Sequence, residues 1–232
     1  MRIIDSILTQ NDCYKAGKRI TIKGLMIHSV GVPQPKAEPF LTQWNKPGVL
    51  KCVHAFVEPN GNVYQTLPWE YRGWHAGGKA NDTHIGIEMT EPATIRYTKG
   101  SEWVDTYPEN TKSHVLATYN TAVELFAHLC KRYNLNPLAD GVIISHSEGH
   151  KRGIASNHAD VEHLWPKFGL SMAKFRLDIK AAMEAGELLQ AVKAISAKIP
   201  GGINVEMWAS DNKEWKAKYV DTLILKIAKA WK

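Results

Sequence analysis

At 232 residues and 44% hydrophobic composition, the chain is long enough to bury one core of ordinary domain size and leave a short appendix. Lysine and arginine outnumber aspartate and glutamate by 29 to 23, a net charge of +6 that favours an anionic partner and leaves nucleic acid, acidic wall polymer and membrane surface open. Cys13, Cys52 and Cys130 are scattered with no CxxC, which argues against a disulfide framework or a thiolate metal cluster and suits a reducing compartment.

The amino terminus MRIIDSILTQNDCY lacks an apolar stretch followed by a small-residue cleavage site, and no window approaches a membrane span, so a soluble product without an export signal is expected. RITIKGLMIHSV, from Arg19 to Val30, and LKCVHAFVEP, from Leu50 to Pro59, are rich in β-branched and apolar residues and predict strands. Asn60-Gly61 in the following NGNVYQTLP marks a hairpin turn. THIGIEMTE, from Thr83 to Glu91, alternates Ile85, Ile87 and Met89 on one face, and GVIISH, from Gly141 to His146, has the continuous apolar run of a buried central strand.

Between them Val115, Tyr119, Ala122, Val123, Phe126, Leu129, Cys130 and Tyr133 recur with the spacing of one helical face, predicting a long amphipathic helix over Thr111 to Tyr133. Ser171 to Met183 repeats the pattern with Met172, Phe175, Ile179 and Met183, and AKIPGG, Ala197 to Gly202, breaks the chain. Strands mixed with covering helices indicate an α/β domain, a central mixed sheet flanked by helices, over residues 1–195, with a small helical segment at 203–232.

His28 and His146 each close an apolar strand, GLMIH and VIISH, so rigid elements could hold both rings at one end of a sheet. A catalytic zinc takes three protein ligands and keeps one position open, which directs attention to a third donor near His146. Glu148, His150, His158, Asp160, Glu162 and His163 all qualify by type. His150 completes an HxxxH spacing, yet Ser147 stands where zinc proteases carry glutamate, and Gly149 with RGIASN argues against a helix, so His150 reads as a solvated loop residue. Read singly, His28 is a satisfied core histidine, Glu88 an outward residue on an edge strand and Asp160 a loop carboxylate or helix cap.

Together, GLMIHSV, GWHAGG followed by THIGIEM, and SHSEGHKRGIASNHADVEHLW resemble the type-2 N-acetylmuramoyl-L-alanine amidases, zinc enzymes that include phage endolysins and are related to the peptidoglycan recognition proteins. The resemblance runs from about Gly17 to Phe175 with the motifs in the family's order. It implies zinc as cofactor, His28, His146 and Asp160 as its ligands, and Glu88 in IGIEM as the catalytic carboxylate. The position two residues before the third ligand is lysine in several relatives and is His158 here, with a catalytic role as hydrogen-bond donor implied. Trp74 and His75 fall beside the family's substrate groove and are expected to bind substrate. His54, His84, His114 and His128 have no such context, and His163 and Trp165 are expected to pack the loop that carries Asp160.

The implied activity is hydrolysis of the amide between N-acetylmuramic acid and L-alanine in peptidoglycan, with an endolysin held in the host bacterial cytoplasm and acting on the wall after release. A bacterial autolysin, a recycling amidase or a non-catalytic peptidoglycan-recognition module are the alternatives. The positive charge suits anionic wall polymers, whereas the absence of a basic helix, a zinc-finger spacing or an aromatic RNA-binding motif argues against nucleic acid. In the tail, Tyr219, Leu223, Ile227 and Trp231 recur at every fourth residue, predicting a helix that caps the catalytic domain or pairs with another copy of the chain as a homo-oligomer. Tryptophans among its lysines leave a wall-binding role open, and stable membrane insertion is not expected.

Overall fold

A computed structural model describes residues 1–199 and 201–230, so Trp231 of the tail stripe lies outside the described residues. The chain divides into two compact units, Met1–Lys180 and Ala181–Lys232. The first unit holds a six-stranded sheet made of β1 (Arg2–Asp5), β2 (Gly24–Ser29), β3 (Ala55–Val57), β4 (Asn62–Gln65), β5 (His84–Met89) and a final strand, β8 (Ile143–Ser145). Between β5 and β8 come a separate two-stranded hairpin, β6 (Ile95–Lys99) and β7 (Glu102–Asp105), and the helix α3 (Pro108–Arg132). The short helices α1 (Asp12–Ala16) and α2 (Glu38–Trp44) precede β3, and α4 (His146–Lys151) follows β8 directly.

Strand order in the sheet is β1-β4-β3-β5-β2-β8, with every neighbouring pair parallel except the β3–β4 hairpin. The sheet is therefore mixed, and the turn expected at Asn60-Gly61 is the one that makes it so, with Gly61 at φ 84°. β5 lies between β3 and β2, which moves Glu88 from the expected edge strand to the interior of the sheet. Leu25, Ile27, Ile85 and Ile87 are fully buried, as the apolar runs require of central parallel strands.

α3 packs along β3, β4 and β5 and buries Val115, Tyr119, Ala122, Phe126, Leu129 and Cys130. Phe175, at the start of α5 (Met172–Lys198), meets Phe126 at 4.9 Å and Trp165 at 5.1 Å between ring centroids. α5 is longer than the segment expected to end at Met183 and begins in the first unit and ends in the second. Near the amino terminus, Leu8, Trp44, Val53, Phe56 and Leu67 form a core cluster in which Cys13 and Cys52, unrelated in sequence context, meet.

The second unit contains α6 (Val205–Ala209) and α7 (Lys213–Ala230), in which Trp215 packs on Trp208 and Tyr219 with centroids 5.2 and 4.7 Å apart. Among the described residues no helix is long and apolar enough to cross a membrane.

Candidate functional site

Parallel pairing of β2 with β5 sets His28 directly beside Glu88, and pairing of β2 with β8 sets Ile27 beside Ser145, one residue before His146. Because side chains alternate along a strand, Met26 and His28 share one face with Gly86 and Glu88, opposite the Ile27 and Ile87 face. Sequence positions far apart thus arrive at the carboxyl ends of adjacent strands.

His146 is the first residue of a helix, contrary to the loop expected for HSEGH. Ser145 caps that helix: its hydroxyl accepts from the Glu148 N–H at 3.0 Å while the Glu148 carboxylate accepts from the Ser145 N–H at 3.2 Å. This S-x-x-E capping box was present in SHSE and outweighs the cost of Gly149 inside the helix. Gly149 also makes room for its neighbours, since a Cβ there would lie 2.7 Å from Cε of Met26, which would have to shift. His150 is exposed, its Nδ1 3.4 Å from the Ala155 carbonyl.

Three donors converge at this point. His28 Nδ1 lies 3.0 Å from His146 Nδ1 and 3.1 Å from Asp160 Oδ2, and His146 Nδ1 lies 3.7 Å from Asp160 Oδ2. A tetrahedral zinc with bonds near 2.0–2.1 Å has ligand atoms separated by roughly 3.3 Å, so two imidazoles and a carboxylate at these spacings fit such an ion. Of the six sequence candidates for the third donor, Asp160 is the one grouped with the two histidines. Its loop is tied to α4 by the Ser147 N–H donating to the Asp160 carbonyl at 3.1 Å, and it is anchored by buried Val161, Leu164 and Trp165. His163 is held by Tyr97, whose hydroxyl lies 2.7 Å from its Nε2.

The charges of the three groups are interlocked. Burial disfavours protonation of His28, but the Asp160 hydrogen bond and the nearby Glu88 and Asp160 charges outweigh it and raise its pKa. Burial pushes His146 down to about 4, with the His28 cation adding to the effect. Asp160 is desolvated as well, yet the His28 hydrogen bond and both imidazoles hold its carboxyl below the usual range. The hydrogen bond between His28 and Asp160 thus favours the charged form of each, and a divalent cation at the three donors would displace the proton they share.

Around the donors opens a groove of about 1000 Å³ lined by Glu88, Trp74, His75 and His158 along with Lys51 and Trp44. Burial, reinforced by the Asp160 and Glu91 charges against that of His28, pushes the Glu88 carboxyl up to about 8, and its buried Oε2 has no protein partner. A carboxyl of this kind, aimed into a groove at the edge of a cation site, can exchange a proton near neutral pH. His158 is exposed, its ring centroid 4.4 Å from that of His146. Trp74 is half-buried on the wall, pinned by a backbone bridge to Cys52. Both His75 ring nitrogens are occupied by protein atoms, Nδ1 by His28 Nε2 at 3.0 Å and Nε2 by the His84 carbonyl at 3.1 Å.

Residues that the sequence did not single out complete the surroundings. Ser156 Oγ lies 3.2 Å from His146 Nε2 and 3.1 Å from His158 Nδ1. His54, wholly buried, accepts from the Gly86 N–H through Nδ1 at 3.0 Å and donates from Nε2 to the Tyr71 carbonyl at 2.8 Å. The signal for this layer lay in the glycines: a Cβ on Gly86 would stand 2.3 Å from Cγ of His75, and one on Gly73 2.8 Å from its Cδ2.

The chain is similar to known amidases. The family model for N-acetylmuramoyl-L-alanine amidase matches residues 18–163. The 1,6-anhydro-N-acetylmuramyl-L-alanine amidase AmpD of Escherichia coli (strain K12) is 28% identical over 99 residues, which cover 36% of this chain and 53% of AmpD. The chain thus spans about half the length of the curated relative it matches. Among solved structures, the Staphylococcus aureus hydrolase AmiA, determined in complex with its ligand, superposes with a TM-score of 0.60 at 17% identity, over 79% of this chain and 83% of that one. A mutant endolysin from Bacillus subtilis gives 0.53 at 18% identity, over 77% and 99%. At such identities these two likenesses speak for the fold.

Proposed function

The chain belongs to the N-acetylmuramoyl-L-alanine amidase family, and from that premise we propose that it is a zinc-dependent peptidoglycan hydrolase cutting the amide between N-acetylmuramic acid and the L-alanine of the stem peptide. The observation that carries the reading is the convergence of His28 Nδ1, His146 Nδ1 and Asp160 Oδ2 in a groove lined also by Glu88, whose buried Oε2 has no protein partner.

His28, His146 and Asp160 would hold the cation. The chemistry supplied by zinc at such a site is Lewis acidity toward water and the scissile carbonyl. Glu88 takes a proton from the attacking water and returns it to the departing L-alanine amine, a task suited to a carboxyl whose pKa stands near 8 in the metal-free site. His158 donates a ring N–H to the carbonyl oxygen as negative charge develops on it, and its exposed position on the groove allows that approach. Trp74 supplies an apolar wall for the substrate.

Polymeric wall peptidoglycan, the endolysin substrate, suits a broad groove with Lys51 on its lining, since stem peptides carry carboxylates. The likeness to AmpD favours a second reading in which soluble 1,6-anhydro muropeptides are cut instead. A non-catalytic recognition module is disfavoured by the complete set of three donors and Glu88.

The test offers purified protein whole sacculi and, separately, a soluble anhydro muropeptide, and labels newly freed α-amines. New amino-terminal L-alanine from sacculi supports the endolysin reading, and release from the soluble muropeptide alone moves the assignment to recycling. No release from either, with zinc bound, would leave only the binding module.

A further inference from the structure

His75 sits behind His28, on the side away from the cation site, and its two ring nitrogens have unequal partners. The partner of Nε2 is the His84 carbonyl oxygen at 3.1 Å, which can only accept, so His75 Nε2 carries a hydrogen. A neutral His75 then has a bare Nδ1, and the atom 3.0 Å from it, His28 Nε2, must be the donor. With its hydrogen fixed on Nε2, neutral His28 has its lone pair on Nδ1, the nitrogen that faces His146 Nδ1 and Asp160 Oδ2.

We propose that His75 is a positioning residue: through a carbonyl-to-imidazole-to-imidazole chain running from His84 through His75 to His28, it fixes the His28 tautomer and ring angle that present Nδ1 to a zinc ion. The inference rests on the zinc reading above and adds to it a residue that acts through His28 and is not one of the three donors. Its surroundings are built to hold one ring pose. Gly86 and Gly73 leave the space that His75 fills, and the Asn81 side-chain oxygen accepts from the backbone N–H groups of His75 and Ala76 at 3.0 and 2.8 Å. The His28 and His75 rings are inclined at 77° with centroids 5.1 Å apart, and their nearest nitrogens are within hydrogen-bond distance. Support residues of this kind typically change metal affinity by about 10–100-fold.

The experiment compares wild type, His75→Leu and His75→Asn; Asn places an acceptor oxygen where Nδ1 stands, and Leu places none. Long-range nitrogen–proton spectra of the metal-free proteins, recorded as pH is raised until the His28 ring signals stop changing, report its tautomer, and competition with a chromophoric chelator reports zinc affinity. The expected results are a protonated Nε2 on His28 in wild type, a mixed tautomer with about 10–100-fold weaker zinc binding in His75→Leu, and recovery of most of both in His75→Asn. A bare Nε2 on His28 in wild type overturns the proposal, and so does a folded His75→Leu with unchanged tautomer and affinity. Equal losses in the Leu and Asn variants also overturn it, because packing and not the acceptor would then be at work. Should His75→Leu not fold, the wild-type tautomer and the Asn variant decide the matter. Wild type that binds no zinc defeats the zinc reading instead, and the tautomer measurement still stands by itself.

Discussion

His28 Nδ1 and Asp160 Oδ2 stand 3.1 Å apart although 132 positions separate them in the chain. Such a pair, joined by His146, would make a cation site only in the folded state, so on the proposed zinc reading binding and folding are linked. Chelation is therefore expected to lower the melting temperature of wild type, a free zinc level 1,000 times the dissociation constant being worth about 4 kcal/mol. Asp160→Asn, which removes the site's anionic ligand, should bind zinc at least 100-fold more weakly, beyond the typical loss from support residues. Its melting temperature should not respond to chelator. Full zinc content in the Asn variant would assign the third ligand elsewhere, His158 being the next candidate.

Glu88 should separate turnover from metal content. Glu88→Gln keeps the shape and loses the exchangeable proton, so kcat should fall about 10²–10⁴-fold while bound zinc stays near one equivalent. The variant also reveals a linkage in the metal-free protein. Burial raises the folded-state pKa of Glu88 to about 8, from an ordinary value near 4.5, so the folded state keeps a proton that the unfolded chain gives up. Stability contributed at acid pH is then lost as pH rises from about 4.5 through 8. Urea unfolding of the two metal-free proteins should give similar stability at the acid end and a more stable Gln variant at the alkaline end. A Gln variant with wild-type kcat removes Glu88 from the proton-transfer role.

What was legible in the sequence follows from which physical signals are local. Apolar runs announced β2, β5 and β8, and the heptad-like stripe from Val115 to Cys130 announced α3, because burial of a whole face leaves a periodic trace. β1, the β6–β7 hairpin and the short α1 and α2 left no such trace: β1 pairs with β4 about 60 residues on, and the others are too short to show a buried periodic face. His28 and His146 stand out as strand-end histidines, and the resemblance picks Asp160 from six possible third donors and adds Glu88, since each alone reads as an ordinary residue. That Glu88 is interior and that His75 turns toward His28 depend on the strand order and register, which no local pattern encodes. The HSEGH helix is different, because its capping box is a local signal and outweighs Gly149.

His54 should make the protein sensitive to mild acid. Burial drives its pKa down to about 4, outweighing the bond to the Tyr71 carbonyl, so the folded state resists a proton that the unfolded chain takes up near pH 6.5. The unfolded state binds more protons between these values, and stability is lost as pH falls from about 6.5 toward 4. One pKa unit is about 1.4 kcal/mol, so the loss totals on the order of 3 kcal/mol, of which about 2 has gone by pH 5. His54→Gln should be less stable at neutral pH, because the Gly86 N–H loses its acceptor, yet show a shallower decline on acidification. The same slope in both proteins, measured by urea unfolding, would assign the acid sensitivity to other buried histidines such as His75.

Gly86 should prove irreplaceable for a reason that concerns His75 and not the strand. Alanine is tolerated by strand backbone, but its Cβ here would lie 2.3 Å from Cγ and 2.5 Å from Nδ1 of His75, so the ring or the strand must move. Overpacking of this sort costs about 1–3 kcal/mol. Displacement of the ring would also break the acceptor contact to His28, so Gly86→Ala should weaken zinc binding by about tenfold or more. The two effects part company in a double variant. Removing the ring in Gly86→Ala/His75→Ala relieves the clash, so the stability loss should be smaller than the sum of the single losses by more than the ~0.5 kcal/mol expected of independent sites. Zinc affinity should not recover, since the acceptor is absent in the double variant as well. Additive losses in stability, measured by denaturant unfolding of the metal-free proteins, would mean that the clash is absorbed by the strand and that Gly86 does not act through His75.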